Sequence, residues 1–157
     1  MVDQQPTGRV QVFNVGLGDE HANITFFRDK RNIGWNTLIA EKVSNDMKEV
    51  TVEITKFEEW AAEQGVTSFY FAKIDVEGAE YKVLRGMKNF LKSLEQKPYL
   101  FIEIGWGTDH PNWNEEKAEL EWLWKEGGYE EVALPTKGGT IDVLFEPKKK
   151  KNNNWER

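Results

Sequence analysis

Apolar and polar positions alternate over Val10–Val15 (VQVFNV) and again over Val50–Ile54 (VTVEI), the two-residue period of a half-buried strand. Ala22–Phe27 (ANITFF) is β-branched and aromatic, a strand by propensity. Gly16, Gly18 and Asp19 mark a turn between the first two strands. Arg28–Asn36 is polar and glycine-containing, so it reads as a loop, with Trp35 inside it. Lys56–Gln64 puts Phe57, Trp60 and Ala61 on one face of a short helix closed by Gly65.

The strongest pattern runs from Phe69 to Met87. Phe69, Tyr70, Phe71, Ala72 and Ile74 form a short apolar and aromatic run, interrupted only by Lys73, as in a strand covered on both faces. Asp75 and Glu77 follow at its C-terminal end, and Gly78 permits a tight turn. Tyr81, Val83, Leu84, Met87, Phe90, Leu91 and Leu94 then recur at helical spacing. Pro98 opens a further apolar strand, Tyr99–Ile104 (YLFIEI), that contains Glu103. Asn112 with Glu115 resembles a capping box at the start of a helix that runs to about Glu126 and stops at Gly127 and Gly128. Its apolar stripe is Leu120, Leu123 and Trp124. Tyr129–Leu134 and Ile141–Phe145 form a hairpin around Gly138 and Gly139.

The order β, β, β, short α, β, α, β, α, β, β predicts an α/β fold, mostly parallel, with a C-terminal antiparallel hairpin at the sheet edge. One domain over residues 1–147 and a polar tail over 148–157 fit the 157 residues. Ligands of open α/β sheets bind outside the carboxyl ends of the strands, which is where Asp75 and Glu77 fall.

Composition narrows the chemistry. The net charge of −6 argues against a nucleic-acid binder, because phosphate binding needs clustered Lys and Arg. The one basic cluster, Lys148–Lys151, lies in the tail and reads as a solvated segment. With no cysteine, disulfides, thiolate metal sites and cysteine nucleophiles are excluded. No apolar run approaches the ~20 residues of a membrane span, and MVDQQPTGR has no signal-peptide core. The expectation is a soluble, cytoplasmic protein.

Phosphate loops, GxGxxG, HExxH, zinc spacings and the Gly-x-Ser-x-Gly elbow are all missing from the sequence. Carboxylates at the strand ends are the remaining candidates: Asp75, Glu77, Glu80 and Glu103. They suit either Mg²⁺ or the amine and hydroxyl donors of an organic ligand. A carboxylate inside a buried strand is costly unless paired. Glu103 is therefore read as an ion-pair partner of Lys73 or as a site residue. In the loop Trp106–Trp113 (WGTDHPNW), His110 is either a general base or structural. Trp106 and Trp113 either stack on a sugar or pack into the core.

The segment from Val50 to Leu91 resembles FkbM-type methyltransferases. The match is specific at Lys73, Ile74, Asp75, Val76, Glu77, Gly78, Ala79, Glu80, Val83, Leu84 and Gly86. Pro98–Ile104 is similar to the family's next strand, and IDVLFEP to its last. Asn14–Asp19 (NVGLGD) resembles the family's Asn-x-Ala-x-x-Asp turn. The resemblance implies a Rossmann-like sheet and S-adenosylmethionine-dependent methyl transfer to an oxygen of a small-molecule or glycan hydroxyl acceptor. It implies a cofactor site that includes Asp19 and Asp75. It assigns Asp75, Glu77 and His110 to catalysis and Glu103, Trp106 and Trp113 to the acceptor side, and names no metal ligand.

By resemblance, the family opens with a strand and an Asp-x-Gly-Ala-Asn-x-Gly turn, then a second strand whose acidic end holds the ribose; neither strand has a counterpart in this chain, and Phe57-Glu58 stands where the family has Leu-Asp. By resemblance, the two missing strands would separate the strand at Val10–Val15 from the one at Phe69–Asp75. Their loss leaves two edges with unpaired backbone. Three arrangements satisfy those edges: direct pairing into a smaller sheet, strands from a partner chain or second copy, or a longer enzyme of which this is a piece. Direct pairing is the first expectation. A non-catalytic assembly module with the same fold is the alternative function.

Overall fold

The computed structural model describes residues 10–29, 36–37, 47–76, 78–104, 107–109, 111–132, 134 and 141–149. Its strands are β1 (Gly16–Gly18), β2 (Ala22–Asp29), β3 (Asn36–Thr37), β4 (Met47–Lys56), β5 (Phe71–Ile74), β6 (Tyr99–Ile104), β7 (Tyr129–Val132) and β8 (Ile141–Pro147). Its helices are α1 (Phe57–Glu63), α2 (Glu80–Ser93) and α3 (Trp113–Trp122), the last continued by a π-helical turn to Gly127. The class is mixed α/β.

The strands form two four-stranded sheets, ordered β1-β4-β2-β3 and β5-β6-β8-β7. This corrects the expectation of one smaller sheet made by direct pairing, since β1 and β5 do not join. It also corrects the mostly parallel arrangement. Among the described residues, only β1 with β4 and β5 with β6 run parallel, and the other four pairings are antiparallel. The cause is local. Only β5 and β6 are linked by a long helix crossover, while β2 returns directly against β4. The C-terminal hairpin forms as expected, with β8 against β6 and β7 at the edge.

Four local readings change. Residues 10–15 carry no strand; Val12 is 84% exposed, and pairing begins only at Gly16, opposite Ile54. An alternating segment becomes a strand only when a neighbour supplies hydrogen bonds, and none among the described residues reaches it. The stretch expected as a loop from Arg28 begins inside β2, which runs to Asp29; Trp35 lies outside the described residues. In β5, Phe71 is 51% exposed and Ile74 is buried, so this strand is covered on one face and open on the other. The expected capping box also does not form. Asn112 offers its backbone carbonyl to Glu115 and Glu116, while the Glu115 carboxylate turns to Arg85 at 2.9 Å.

The core lies between the β5–β8 sheet and the helices. Leu84, Leu91, Leu100, Ile102, Leu123, Tyr129 and Phe145 are wholly buried in it. The apolar stripe of α2 supplies Val83, Leu84, Met87 and Leu91 to this core, as its spacing predicts. Phe90 stacks on Phe69 at 5.6 Å and meets Phe57 of α1 edge-on at 5.2 Å.

Helix α2 also joins the two sheets. A Cβ on Gly86 would stand 1.9 Å from the carbonyl oxygen of Gly18, so only glycine lets α2 lie this close to β1. Around that contact, Lys82 pairs with Glu20 at 3.1 Å and Arg85 with Asp19 at 3.3 Å. Arg85 further reaches Glu115 and Glu119 of α3, and these carboxylates raise its already high pKa.

The N-terminus of α2 is held by two carboxylates, which suits the exposed N–H groups and positive end of the helix dipole. Glu80 folds back to accept from the N–H groups of Val76 at 2.9 Å and Gly78 at 3.2 Å. Glu116, 2% exposed, accepts from Tyr81 N–H at 3.0 Å. Burial first, then the nearby Glu80, pushes Glu116 up to about 7 against the pull of the Tyr81 hydrogen bond.

Two outcomes follow from this joint. Gly86→Ala should lower stability to urea by roughly 1–3 kcal/mol, because forced contact with backbone exceeds the ~1 kcal/mol that alanine normally gains over glycine in a helix. Parental stability in that variant would show that the two backbones do not meet. Glu116 binds its proton more tightly folded than unfolded. Its protonated form therefore adds stability that is complete below about pH 4.5 and is lost as pH rises through about 7. Glu116→Gln, neutral throughout, should cancel a loss of up to about 3 kcal/mol between those limits. Urea unfolding across that range checks it, and a parent-to-variant difference independent of pH would refute it.

Candidate active site

The turn after β5 builds one wall of the site. Gly78 sits at φ 107°, a backbone conformation that side chains rarely adopt. The Glu80 carboxylate ties this turn to the start of α2. Asp75 leaves the carboxyl end of β5 just before it. One Asp75 oxygen takes the Lys73 ammonium at 2.5 Å, which raises the Lys73 pKa.

The opposite wall comes from the first sheet. β1 is short and glycine-rich because it runs against bulky neighbours: a Cβ on Gly16 would lie 2.3 Å from Ile54 Cδ1. Beyond Gly18 the chain turns at Asp19 and Glu20. The Arg85 guanidinium holds one Asp19 carboxylate oxygen. The other, Oδ1, is buried and has no partner. A buried acceptor without a donor is uncommon and points to a ligand group or a water.

Between these walls lies a cleft of about 750 Å³, within the range of small-molecule sites. Asp19, Glu20, Asp75 and Lys82 give it polar corners. Ile24, Phe26, Val52 and Ile54 give it an apolar side. Tyr81, Pro111 and Asn112 also line it. The acceptor groups suit a ligand that donates hydrogen bonds or carries positive charge. Among the described residues, no group of three or more His, Asp or Glu is placed to hold a metal ion.

The structure thus brings Asp19 and Asp75, distant in sequence, to one cleft. Glu103 stands beside it on the open face of the second sheet, half-buried. Burial, then the neighbouring Asp75 and Asp142 carboxylates, raise its pKa, and Lys73 partly opposes this. The ion pair considered for Glu103 goes instead from Lys73 to Asp75. Trp113, the first residue of α3, packs against the core. Glu77, Trp106 and His110 lie outside the described residues.

Several cleft residues escaped the sequence reading. Ile24, Phe26, Val52 and Ile54 were legible as strand residues, but not as facing a ligand space. Lys82 and Arg85 carried no signal beyond helix polarity. His21 was also missed: it bridges Thr55 and Glu59, at 3.3 and 2.8 Å, and fastens the β1–β2 turn to the start of α1.

Among the described residues, no helix is long and apolar enough to cross a membrane. No curated protein and no solved structure matches the chain. One family does: the model described as Methyltransferase FkbM domain matches residues 4–131, most of the sequence and both walls of the cleft. By that match, the chain belongs to the FkbM methyltransferase family.

Proposed function

We propose that this protein transfers a methyl group from S-adenosylmethionine to a hydroxyl oxygen, with Asp75 as the base. The observation that carries this reading is the meeting of Asp75 and Asp19 in one cleft of a chain with the family's signature turn. The residues present fit such a cofactor. The unpartnered Asp19 Oδ1 suits an amino or ribose hydroxyl donor, and the excess of carboxylates suits a cationic ligand. When bound, the cofactor supplies an electrophilic methyl group.

The protein's own work is positional and protolytic. Arg85 holds the Asp19 carboxylate against α2, so its free oxygen stays in place without rotamer cost on binding. Lys73 holds one Asp75 oxygen and so orients the carboxylate at the carboxyl end of β5. Asp75 would accept the proton of the acceptor hydroxyl, which frees an oxygen lone pair for the methyl group that a bound cofactor would give up from its sulfonium. Glu103, with its raised pKa, stands near enough to relay that proton away.

A second reading is favoured by the two unjoined sheets. β1 and β5 each end a sheet; β1 lines the cleft, and the turn after β5 faces it. Open edges invite strands from another chain. In this reading the protein is an assembly module, completed by a partner or by a second copy.

Calorimetry with S-adenosylhomocysteine tests the first reading, with saturable binding in the micromolar range expected. Asp75→Asn should reduce turnover by about 10²–10⁴ in a single-turnover methylation assay run at saturating cofactor. Near-parental turnover would remove Asp75 from the mechanism. Sedimentation across a wide concentration range tests the second reading. A mass that stays monomeric, with saturable binding of the methylated cofactor's product form, would refute it.

A further inference from the structure

Among the described residues, three of the four sheet edges are closed to further pairing. β3 is two residues long. β1 lies against α2, which meets it at Gly18. β7 presents Glu130 and Glu131, both exposed, and charge on an edge strand repels a neighbour. β5 ends its sheet with none of these guards. Its one charge, Lys73, is neutralised by Asp75, and Tyr70 and Phe71 at its head are 79% and 51% exposed. The backbone of this edge is also set. The Tyr70 carbonyl accepts from Tyr99 N–H on β6 at 2.9 Å. Hydrogen-bonding direction alternates along a strand, so Ala72 and Ile74 turn to β6 as well, while Phe71 and Lys73 hold their N–H and C=O groups toward the open edge.

We infer that a second copy of this chain pairs with β5, strand against strand and antiparallel, with the twofold axis at Ala72. The inference rests on the assembly reading above and names its partner and its surface. Residues directly opposite in an antiparallel pair point to the same face, so two identical strands related by a twofold axis meet with one residue opposite itself. Two such registers overlap most of Phe71–Ile74. With Lys73 on the axis, two like charges stand face to face, which opposes pairing. With Ala72 on the axis, Phe71 stands opposite the partner's Lys73 on each side. Those two residues carry the free backbone groups, so each such pair exchanges both of its N–H···O=C bonds. The Lys73 ammonium gains an aromatic face, and the small Ala72 fits the close non-hydrogen-bonded position. Charge agrees with this register. Glu103 pairs with Asp142 at the Asp75 end of the sheet, and the antiparallel arrangement sets these acidic groups of the two copies at opposite ends of the joint. Pairing stops at Ile74, which leaves Asp75 to the cleft.

The test combines sedimentation of the full chain, from micromolar to millimolar concentration, with single-cysteine cross-linking. The chain has no cysteine of its own, so one introduced thiol reports one contact. On the axis, opposite Cα atoms lie about 4.5 Å apart, within reach of a disulfide. The expected result is a concentration-dependent dimer that oxidised glutathione locks covalently in Ala72→Cys and leaves largely unlinked in Lys73→Cys. Phe71→Lys, which meets the partner's Lys73 with like charge, should weaken the dimer by about tenfold or more. Phe71→Glu, equally polar and opposite in sign, should dimerise within a few-fold of the parent. Phe71 is half exposed, so neither change opens the core. Cross-linking through Lys73→Cys in preference to Ala72→Cys overturns the inference, as does equal weakening by Phe71→Lys and Phe71→Glu. In both cases the dimer forms through another surface or register, and the assembly reading survives. A chain that stays monomeric throughout overturns the inference too, and if it also binds S-adenosylhomocysteine, the assembly reading falls with it.

Discussion

The approach of α2 to β1 at Gly86 and Gly18 is the constraint on which the rest of the molecule depends. The two sheets share no strand pairing, so their relative position is set by the elements that touch both. Helix α2 is the main one. Its apolar stripe enters the core of the second sheet, while Gly86, Lys82 and Arg85 meet the β1–β2 turn of the first. A side chain at Gly86 would push the sheets apart, and the cleft between them would change shape. The ion pairs around the contact are partly exposed, so each adds little by itself. Their effect is to fix orientation once the glycine contact has fixed distance.

The same helix places the chemistry. Its N-terminus needs acceptors, and Glu80 and Glu116 provide them from two directions. Because Glu80 also binds the backbone at Val76 and Gly78, the turn that presents Asp75 is anchored to the helix rather than left as a mobile loop. Because Arg85 binds Asp19, the opposite carboxylate is anchored to the same helix. One element thus positions both acidic groups of the cleft. The cost is a buried carboxylate, Glu116, that has no cation and holds its proton up to neutral pH.

The open side of the second sheet is the counterpart of this arrangement. Helices cover one face of β5 and β6, while Tyr70 at 79% exposure and Phe71 at 51% remain on the other side. The first sheet likewise keeps an apolar face toward the cleft. A molecule with two such surfaces is set up to bind, because each exposed apolar patch gains free energy when covered. The methyl-transfer reading assigns the cleft to cofactor and acceptor, and the assembly reading assigns the sheet edges to another chain. The two surfaces meet at β1, which ends its sheet and also lines the cleft.

Sequence alone determined what depends on neighbours along the chain. The helical stripe of α2, the short α1 ended at Gly65, the β7–β8 hairpin and the stop of α3 at Gly128 follow from periodicity and turn chemistry, which act over a few residues. The signature from Lys73 to Gly86 fixed the family and singled out Asp75. Tertiary structure decided everything that needs two distant segments to meet. It alone made Val10–Val15 an exposed segment instead of a strand, split the expected single sheet in two, and turned Lys73 toward Asp75 instead of Glu103. The physical reason is the same in each case. Backbone hydrogen bonds, ion pairs and apolar contacts form only where a partner is within reach, and reach across fifty residues is set by packing around α2, which no local pattern encodes.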